Sequence, residues 1–179
     1  MSVFTPLERP ELEAFLEPYG LGRLKDFQGI AAGSENSNFF ISLEGGEFVL
    51  TLVERGPRAD MPFFIELLER LHQAGLPVPY AVPTQGGEAL RELAGKPALL
   101  QPRLAGKHVS QPNAHHCAEI GAWLARLHLA TREQILERRS DRGLDWMLEE
   151  GPVLALELHD EQLPLLRDSL HEVAELKAR

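Results

Sequence analysis

The chain has 179 residues, 44% hydrophobic and 25% charged, an ordinary globular composition with room for one domain or two small lobes. A net charge of −9 speaks against a general nucleic-acid binder, and a single cysteine, Cys117, excludes an internal disulfide framework and fits a reducing, cytoplasmic setting. No apolar run reaches the roughly 18 residues of a membrane span, and the opening MSVFTPLERP has no basic region followed by an apolar one, so neither a membrane anchor nor a signal peptide is expected.

Residues 10–17 read as a short helix, with Pro10 in its first turn and Leu12, Phe15 and Leu16 as an apolar stripe; Pro18, Gly20 and Gly22 end it. Three strand-like runs then fill residues 27–54. The first covers 27–32, and the polar loop Gly33-Ser34-Glu35-Asn36-Ser37-Asn38 follows it. In the second run Phe39, Ile41 and Leu43 share a face; in the third Phe48, Leu50 and Leu52 share one and Val49, Thr51 and Val53 the other. Gly45-Gly46 between them predicts a two-residue hairpin turn. Small residues in the polar loop would let a backbone approach a phosphate and offer it N–H donors. The same Ser and Asn content also suits an ordinary β-connection.

After the break at Glu54-Arg55-Gly56-Pro57, Asp60 can cap a helix over about residues 61–74, with Met61, Phe64, Ile65, Leu68 and Leu71 buried and Glu66 on a solvated acidic face. Residues 77–80 are extended, and Gly86-Gly87 predicts a second hairpin turn. Residues 96–104 form an apolar strand running into a linker, which places a lobe boundary near residue 104. A helix is predicted over 112–132 with Cys117, Ile120, Leu124, Leu127 and Thr131 as its stripe. His115-His116-Cys117 suggests metal ligands, but adjacent helical residues point apart, so no zinc site is expected. Residues 146–151 read as a turn or short helix, and 161–177 as a last helix with Leu163, Leu166, Leu170, Val173 and Leu176 aligned.

The segments GIAAGSENSNFFISL, FVLTLVERG, DMPFFIELLERLHQAGLPVPYAV, GKPALLQPRLAG and PNAHHCAEIGAWLARLHLAT, with the opening MSVFTPLE, resemble the homoserine kinases of the aminoglycoside phosphotransferase superfamily. The resemblance runs nearly unbroken from residue 1 to about 148. It implies an α+β, protein-kinase-like fold: an N-terminal antiparallel sheet lobe with a helix over residues 1–104, then the start of a helical C-terminal lobe over 105–179. It also implies transfer of the ATP γ-phosphoryl group, with Mg²⁺, to the hydroxyl of L-homoserine, a step of threonine biosynthesis. Two other readings stand beside it: a noncatalytic nucleotide-binding kinase remnant, and a related kinase acting on choline or an aminoglycoside.

By that resemblance Ser34, Glu35, Asn36, Ser37 and Asn38 stand where kinases carry a glycine-rich loop over the phosphates. Thr51 stands where the kinase strand lysine would be, with Arg55 as a cationic substitute just past the strand and Glu66 as counterpart of the kinase helix glutamate. Gln101, Pro102, Arg103 and Leu104 would form the hinge that reads the adenine edge through backbone groups. The family's H-x-D-x-x-x-x-N loop does not occur in the 179 residues, since Asn113 is their last asparagine and residues 114–140 contain no aspartate. Leu144-Asp145-Trp146 imitates the later metal aspartate, but Asp145 reads as a helix cap or surface residue. No catalytic or metal residue is therefore assigned, and residues 1–179 are expected to be inactive alone and to self-associate through the last helix.

Overall fold

The computed structural model describes residues 3–133, 136, 138 and 142–178, and the chain divides into two compact units, Met1–Glu137 and Arg138–Arg179. Among the described residues the first unit holds helix α1 (Arg9–Leu16), strands β1 (Leu24–Gly29), β2 (Asn36–Leu43) and β3 (Gly46–Val53), helix α2 (Met61–Gln73), strands β4 (Arg91–Leu93) and β5 (Lys96–Pro102), and helix α3 (Ala114–Thr131). The second holds α4 (Leu144–Leu154) and α5 (Leu163–Ala178). The fold is α+β, as the sequence implies. The five strands form one antiparallel sheet in the order β1-β2-β3-β5-β4.

The period-2 pattern of the central strands sorts their side chains onto two faces. Ser37, Phe39, Ile41 and Leu43 of β2, Phe48, Leu50 and Leu52 of β3, and Ala98 and Leu100 of β5 are buried on one face. Leu12, Phe15 and Leu16 of α1, with Leu7 and Tyr19, complete that core. The helix forms where Pro10 sits in its first turn, and Gly20, at φ 66°, ends the 3-10 turn that follows.

Several boundaries differ from the sequence reading. The first strand lies at Leu24–Gly29, not 27–32, because its register on β2 is set by the Leu24↔Leu43 and Phe27↔Ile41 pairs. The hairpin turn is Glu44-Gly45 rather than Gly45-Gly46, with Leu43 opposite Gly46. Tertiary contacts select it: Glu44 accepts from the Arg23 backbone N–H at 3.1 Å, and the Gly45 N–H donates to the Leu21 carbonyl at 2.8 Å. A Cβ on Gly45 would lie 2.7 Å from that carbonyl oxygen, so only glycine fits. Gly86-Gly87 is a turn closed on Thr84, and the β4–β5 hairpin turns at Ala94-Gly95 instead.

A second, smaller core joins α2 to α3, with Leu71, Leu76 and Val78 against Leu67, Leu68, Trp123, Leu127 and Ala130. Here the predicted stripes change. Phe64 is exposed, and α3 turns Trp123, Leu127 and Ala130 inward while Ile120 and Leu124 face out. The observed stripe shares only Leu127 with the predicted one and adds the large Trp123 ring to the core. Asn113 caps α3, accepting from the His116 backbone N–H, and its own N–H donates to His116 Nδ1, both at 3.1 Å.

In the second unit α4 and α5 run antiparallel. Asp145 pairs with Lys177 near one end, and buried Gly151 meets Leu170, whose side chain occupies the space a Cβ would need. Leu166, Leu170 and Val173 share an apolar groove with Trp146, Met147 and Leu154. Leu176, placed in the predicted stripe, is exposed.

One polar cluster interrupts the apolar face at the end of β2. The fully buried Ser37 hydroxyl accepts the backbone N–H groups of Phe4 (2.8 Å) and Thr5 (3.1 Å) and donates to Glu54 Oε1 (2.5 Å). The Thr5 hydroxyl donates to the same oxygen at 2.7 Å, and Lys96 Nζ pairs with Glu54 Oε2 and donates to Thr5 Oγ1 at 2.6 Å. Burial acts against the Glu54 charge, but the hydrogen bonds from Lys96, Ser37 and Thr5 outweigh it and hold its carboxyl below the usual carboxylate range.

Ile41→Ala should lower stability by about 2–5 kcal/mol, read from urea unfolding, because the side chain is fully buried. Glu54 titrates lower when folded, so its stabilisation is present above the ordinary carboxylate value of about 4.3 and is lost as pH falls through the folded value. Urea unfolding of the native and Glu54→Gln proteins should differ at neutral pH and converge in acid. A gap that stays constant with pH would remove the ionised carboxylate from the account.

Candidate functional site

The face of the sheet opposite α1 carries four of the residues singled out above, Asn36, Asn38, Thr51 and Gln101. Strand pairing lays them out in rows: Asn36 opposite Val53, then Asn38-Thr51-Leu99, then Phe40-Val49-Gln101, then Ser42 opposite Glu47. The polar loop is shorter than predicted. Asn36, Ser37 and Asn38 belong to β2 and pair with Val53, Leu52 and Thr51, which leaves residues 30–35 as the connection. The turn preference of Asn and Ser yields here because β3 offers a complete partner strand and Ser37 continues the buried period of Phe39 and Ile41.

This pairing divides the loop candidates. Asn36 and Asn38 direct their amides to the open face, whereas the Ser37 hydroxyl lies on the covered face and is fully engaged there as one donor and two acceptors. Ser34 and Glu35 are exposed in the connection. Gly33 adopts φ 122°, a backbone geometry that side-chain-bearing residues resist, and the Ile30 N–H donates to the Asn38 carbonyl at 2.8 Å to close the loop at its base.

Thr51, Asn38 and Gln101 meet in one network. The Thr51 hydroxyl lies 2.8 Å from Asn38 Oδ1 and 3.2 Å from Gln101 Oε1, and its single proton serves the nearer acceptor better. Gln101 Nε2 donates to the Pro79 carbonyl at 2.6 Å, which ties the start of the predicted hinge to the 79–82 segment. That segment runs beside β5, its Val82 N–H donating to the Leu100 carbonyl at 2.7 Å. The position that resembles a kinase strand lysine thus carries a neutral hydroxyl in a neutral amide network.

The other candidates stand apart from this network. Arg55 is exposed just beyond β3. Glu66 is exposed on α2 and forms an ion pair with Arg70 one turn away. Pro102 ends β5 opposite Phe48, and Leu104 is exposed past it. The Arg103 guanidinium lies 4.1 Å from the centre of the Phe40 ring and 3.5 Å from Glu47 Oε2, while the Arg103 backbone N–H donates to the Glu47 carbonyl at 3.1 Å. Its side chain therefore braces this end of the sheet.

Sequence reasoning assigned Thr5, Glu54 and Lys96 to no site. Their only local signal is a carboxylate placed directly after an apolar strand; the partners lie 42 and 49 positions away. The chemistry of the central network on the open face is neutral hydrogen bonding. Among the described residues no group of three or more His, Cys, Asp or Glu is placed to hold a metal ion. No helix among them is long and apolar enough to cross a membrane.

Comparison with known proteins bears on the family and the fold. Over 178 residues the chain is 70% identical to a homoserine kinase of Pseudomonas aeruginosa (strain LESB58), covering 99% of this chain and 56% of that protein. It is 38% identical to a homoserine kinase of Cupriavidus metallidurans over 179 residues, covering 97% of this chain and 55% of the relative. The chain thus spans about half the length of the curated relatives it matches. An amicoumacin kinase solved with AMP-PNP, Ca²⁺ and Ami superposes with a TM-score of 0.70 at 20% identity, over 95% of this chain and 53% of that one. A spectinomycin phosphotransferase solved with ADP and spectinomycin gives 0.60 at 14% identity, over 82% and 46%. These structures share the kinase-like α+β fold. Residues 26–179 match the description of the phosphotransferase enzyme family, and the chain belongs to that family.

Proposed function

We propose that this chain forms the nucleotide-binding part of a homoserine kinase, which transfers the γ-phosphoryl group of ATP to the hydroxyl of L-homoserine in threonine biosynthesis. The observation that carries the reading is 70% identity over 178 residues to the Pseudomonas aeruginosa enzyme of that name. The structural neighbours solved with AMP-PNP or ADP support a nucleotide as the phosphoryl donor. A cytoplasmic setting accompanies the reading, since ATP and amino-acid intermediates are found there.

In this reading residues 1–104 form the ATP-binding lobe and residues 105–179 open the helical lobe. The phosphates lie over the open face, where the backbones of Ser34, Glu35 and Ser37 and the side chains of Asn36, Asn38 and Thr51 offer neutral hydrogen-bonding groups. Gly33, at φ 122°, holds the loop backbone in a geometry that side-chain-bearing residues resist. Arg55 and Glu66 flank this region, and Gln101, Pro102, Arg103 and Leu104 present backbone groups to the adenine.

Catalysis of this reaction is chiefly positioning plus stabilisation of charge on the phosphoryl oxygens. Neutral donors at the strand-lysine position orient the nucleotide without offsetting that charge, and Mg²⁺ would supply the counter-charge. The described residues do not fit a Mg²⁺ site of their own, since they bring no acidic cluster together. Their part is to bind and orient ATP.

With the full-length protein, ADP release should require L-homoserine. Choline and an aminoglycoside serve as comparison acceptors, and turnover with choline alone would overturn the assignment. In the same protein Asn36→Ala combined with Asn38→Ala should raise the KM for ATP or lower kcat by up to about tenfold per hydrogen bond lost, with the homoserine KM little changed. Unchanged kinetics would return residues 33–38 to the role of a plain β-connection.

A further inference from the structure

The covered face of the sheet is apolar along Phe39, Ile41, Leu43, Leu50, Leu52, Ala98 and Leu100, and polar at the end next to the 30–35 connection. There Ser37 is fully buried and the Glu54 side chain is only 8% exposed. Replacing a buried ion pair by apolar side chains is often neutral or stabilising, so stability alone is a weak reason for this one. A carboxylate with three directed donors does something an apolar contact does not: it fixes where each donor's backbone must lie.

Both stems of the connection are braced by the same short segment. At its entry, Val3 packs so closely on Gly29 that a Cβ there would lie 2.7 Å from Val3 Cγ2. At its exit, Phe4 and Thr5 donate their backbone N–H groups to Ser37. The segment is held in turn by the Thr5 hydroxyl, which lies between Glu54 and Lys96 at the start of β5. The Glu54 N–H also reaches Asn36 Oδ1 at 3.4 Å. Ser37 is flanked by Asn36 and Asn38, whose side chains emerge on the opposite face, and a strand cannot shift one residue independently of its neighbours.

We infer that Glu54 is a positioning residue for ATP binding: with Lys96, Thr5 and Ser37 it clamps the base of the 30–38 loop from the covered face, and so fixes Asn36 and Asn38 on the nucleotide face. This rests on the reading of 30–38 as the phosphate-facing loop. Glu54 itself touches no nucleotide. Loss of its charge therefore acts on ATP affinity and leaves the acceptor untouched. Removing the charge of Lys96 as well relieves the unpaired cation and restores part of the order.

The test uses the full-length kinase with ATP and L-homoserine varied separately, at a temperature where each variant's circular dichroism matches that of the native protein. Glu54→Gln should raise the ATP KM about 5- to 30-fold, with the homoserine KM within about twofold. Glu54→Gln with Lys96→Met should recover a measurable part of that loss. If Glu54→Gln does not fold, Thr5→Val removes one hydroxyl of the same cluster and should raise the ATP KM in the same selective way. The Asn36→Ala/Asn38→Ala protein is the reference. If it raises the ATP KM while folded cluster variants leave it unchanged, the cluster is only structural and the inference is overturned. If the asparagine variant and the cluster variants all leave the ATP KM unchanged, the loop reading itself fails and the inference with it.

Discussion

The register of β2 on β3 governs what the sheet can present. Eight consecutive pairs, from Asn36↔Val53 to Leu43↔Gly46, assign every side chain of both strands to the covered or the open face. A slip of one residue would carry Ser37 to the open face and Asn38 and Phe40 into the core. The register is pinned at the turn, where Gly45 accepts the close approach of the Leu21 carbonyl and Glu44 is held by Arg23. It is pinned again at the far end by the buried Ser37–Glu54 hydrogen bond.

The two faces so defined carry different electrostatics. On the covered face the buried Glu54 carboxylate meets the Lys96 ammonium, which is about a third exposed, so the pair is less screened than one wholly in solvent. On the open face the central network of Asn38, Thr51 and Gln101 is neutral, and the ion pair of Arg103 with Glu47 lies at the opposite end, with both side chains about half exposed. A neutral platform costs less to desolvate when a ligand covers it than a charged one does. It also leaves the charge of a bound polyphosphate to be met from elsewhere. The Glu54–Lys96 pair thus lies on the covered face, and the neutral Asn38-Thr51-Gln101 network on the open one.

The two helical pairs show how packing overrides period. On α3 a 3.6-residue pattern permits more than one stripe, and the one carrying Trp123, Leu127 and Ala130 packs against Leu71, Leu76 and Val78. On α4 and α5 the choice is made by a small residue: Gly151 lets Leu170 approach where a side chain would hold the helices apart. Ile120 and Leu124 are left facing out on α3, as is Leu165 on α5, each predicted or apolar yet outside the packed stripe.

The sequence by itself determined the α+β class, the alternation of β2 and β3, the apolar strand at β5, the family, and the helices at 10–17, 61–74, 112–132 and 161–177 to within a few residues. These are local or long-range pattern properties: period, breakers and an extended family match survive without knowledge of any contact. The tertiary structure alone decided the extent of the loop before β2, the position of the hairpin turns and the inward face of α3. It also decided that Ser37 and Asn38, neighbours with similar turn preference, serve opposite faces. It alone brought Thr5, Glu54 and Lys96 to one point, since residues up to 91 positions apart leave no periodic trace in the chain. The physical reason is that strand pairing converts a weak local preference into a strict two-face assignment, and a buried charge draws its partners from wherever the fold supplies them.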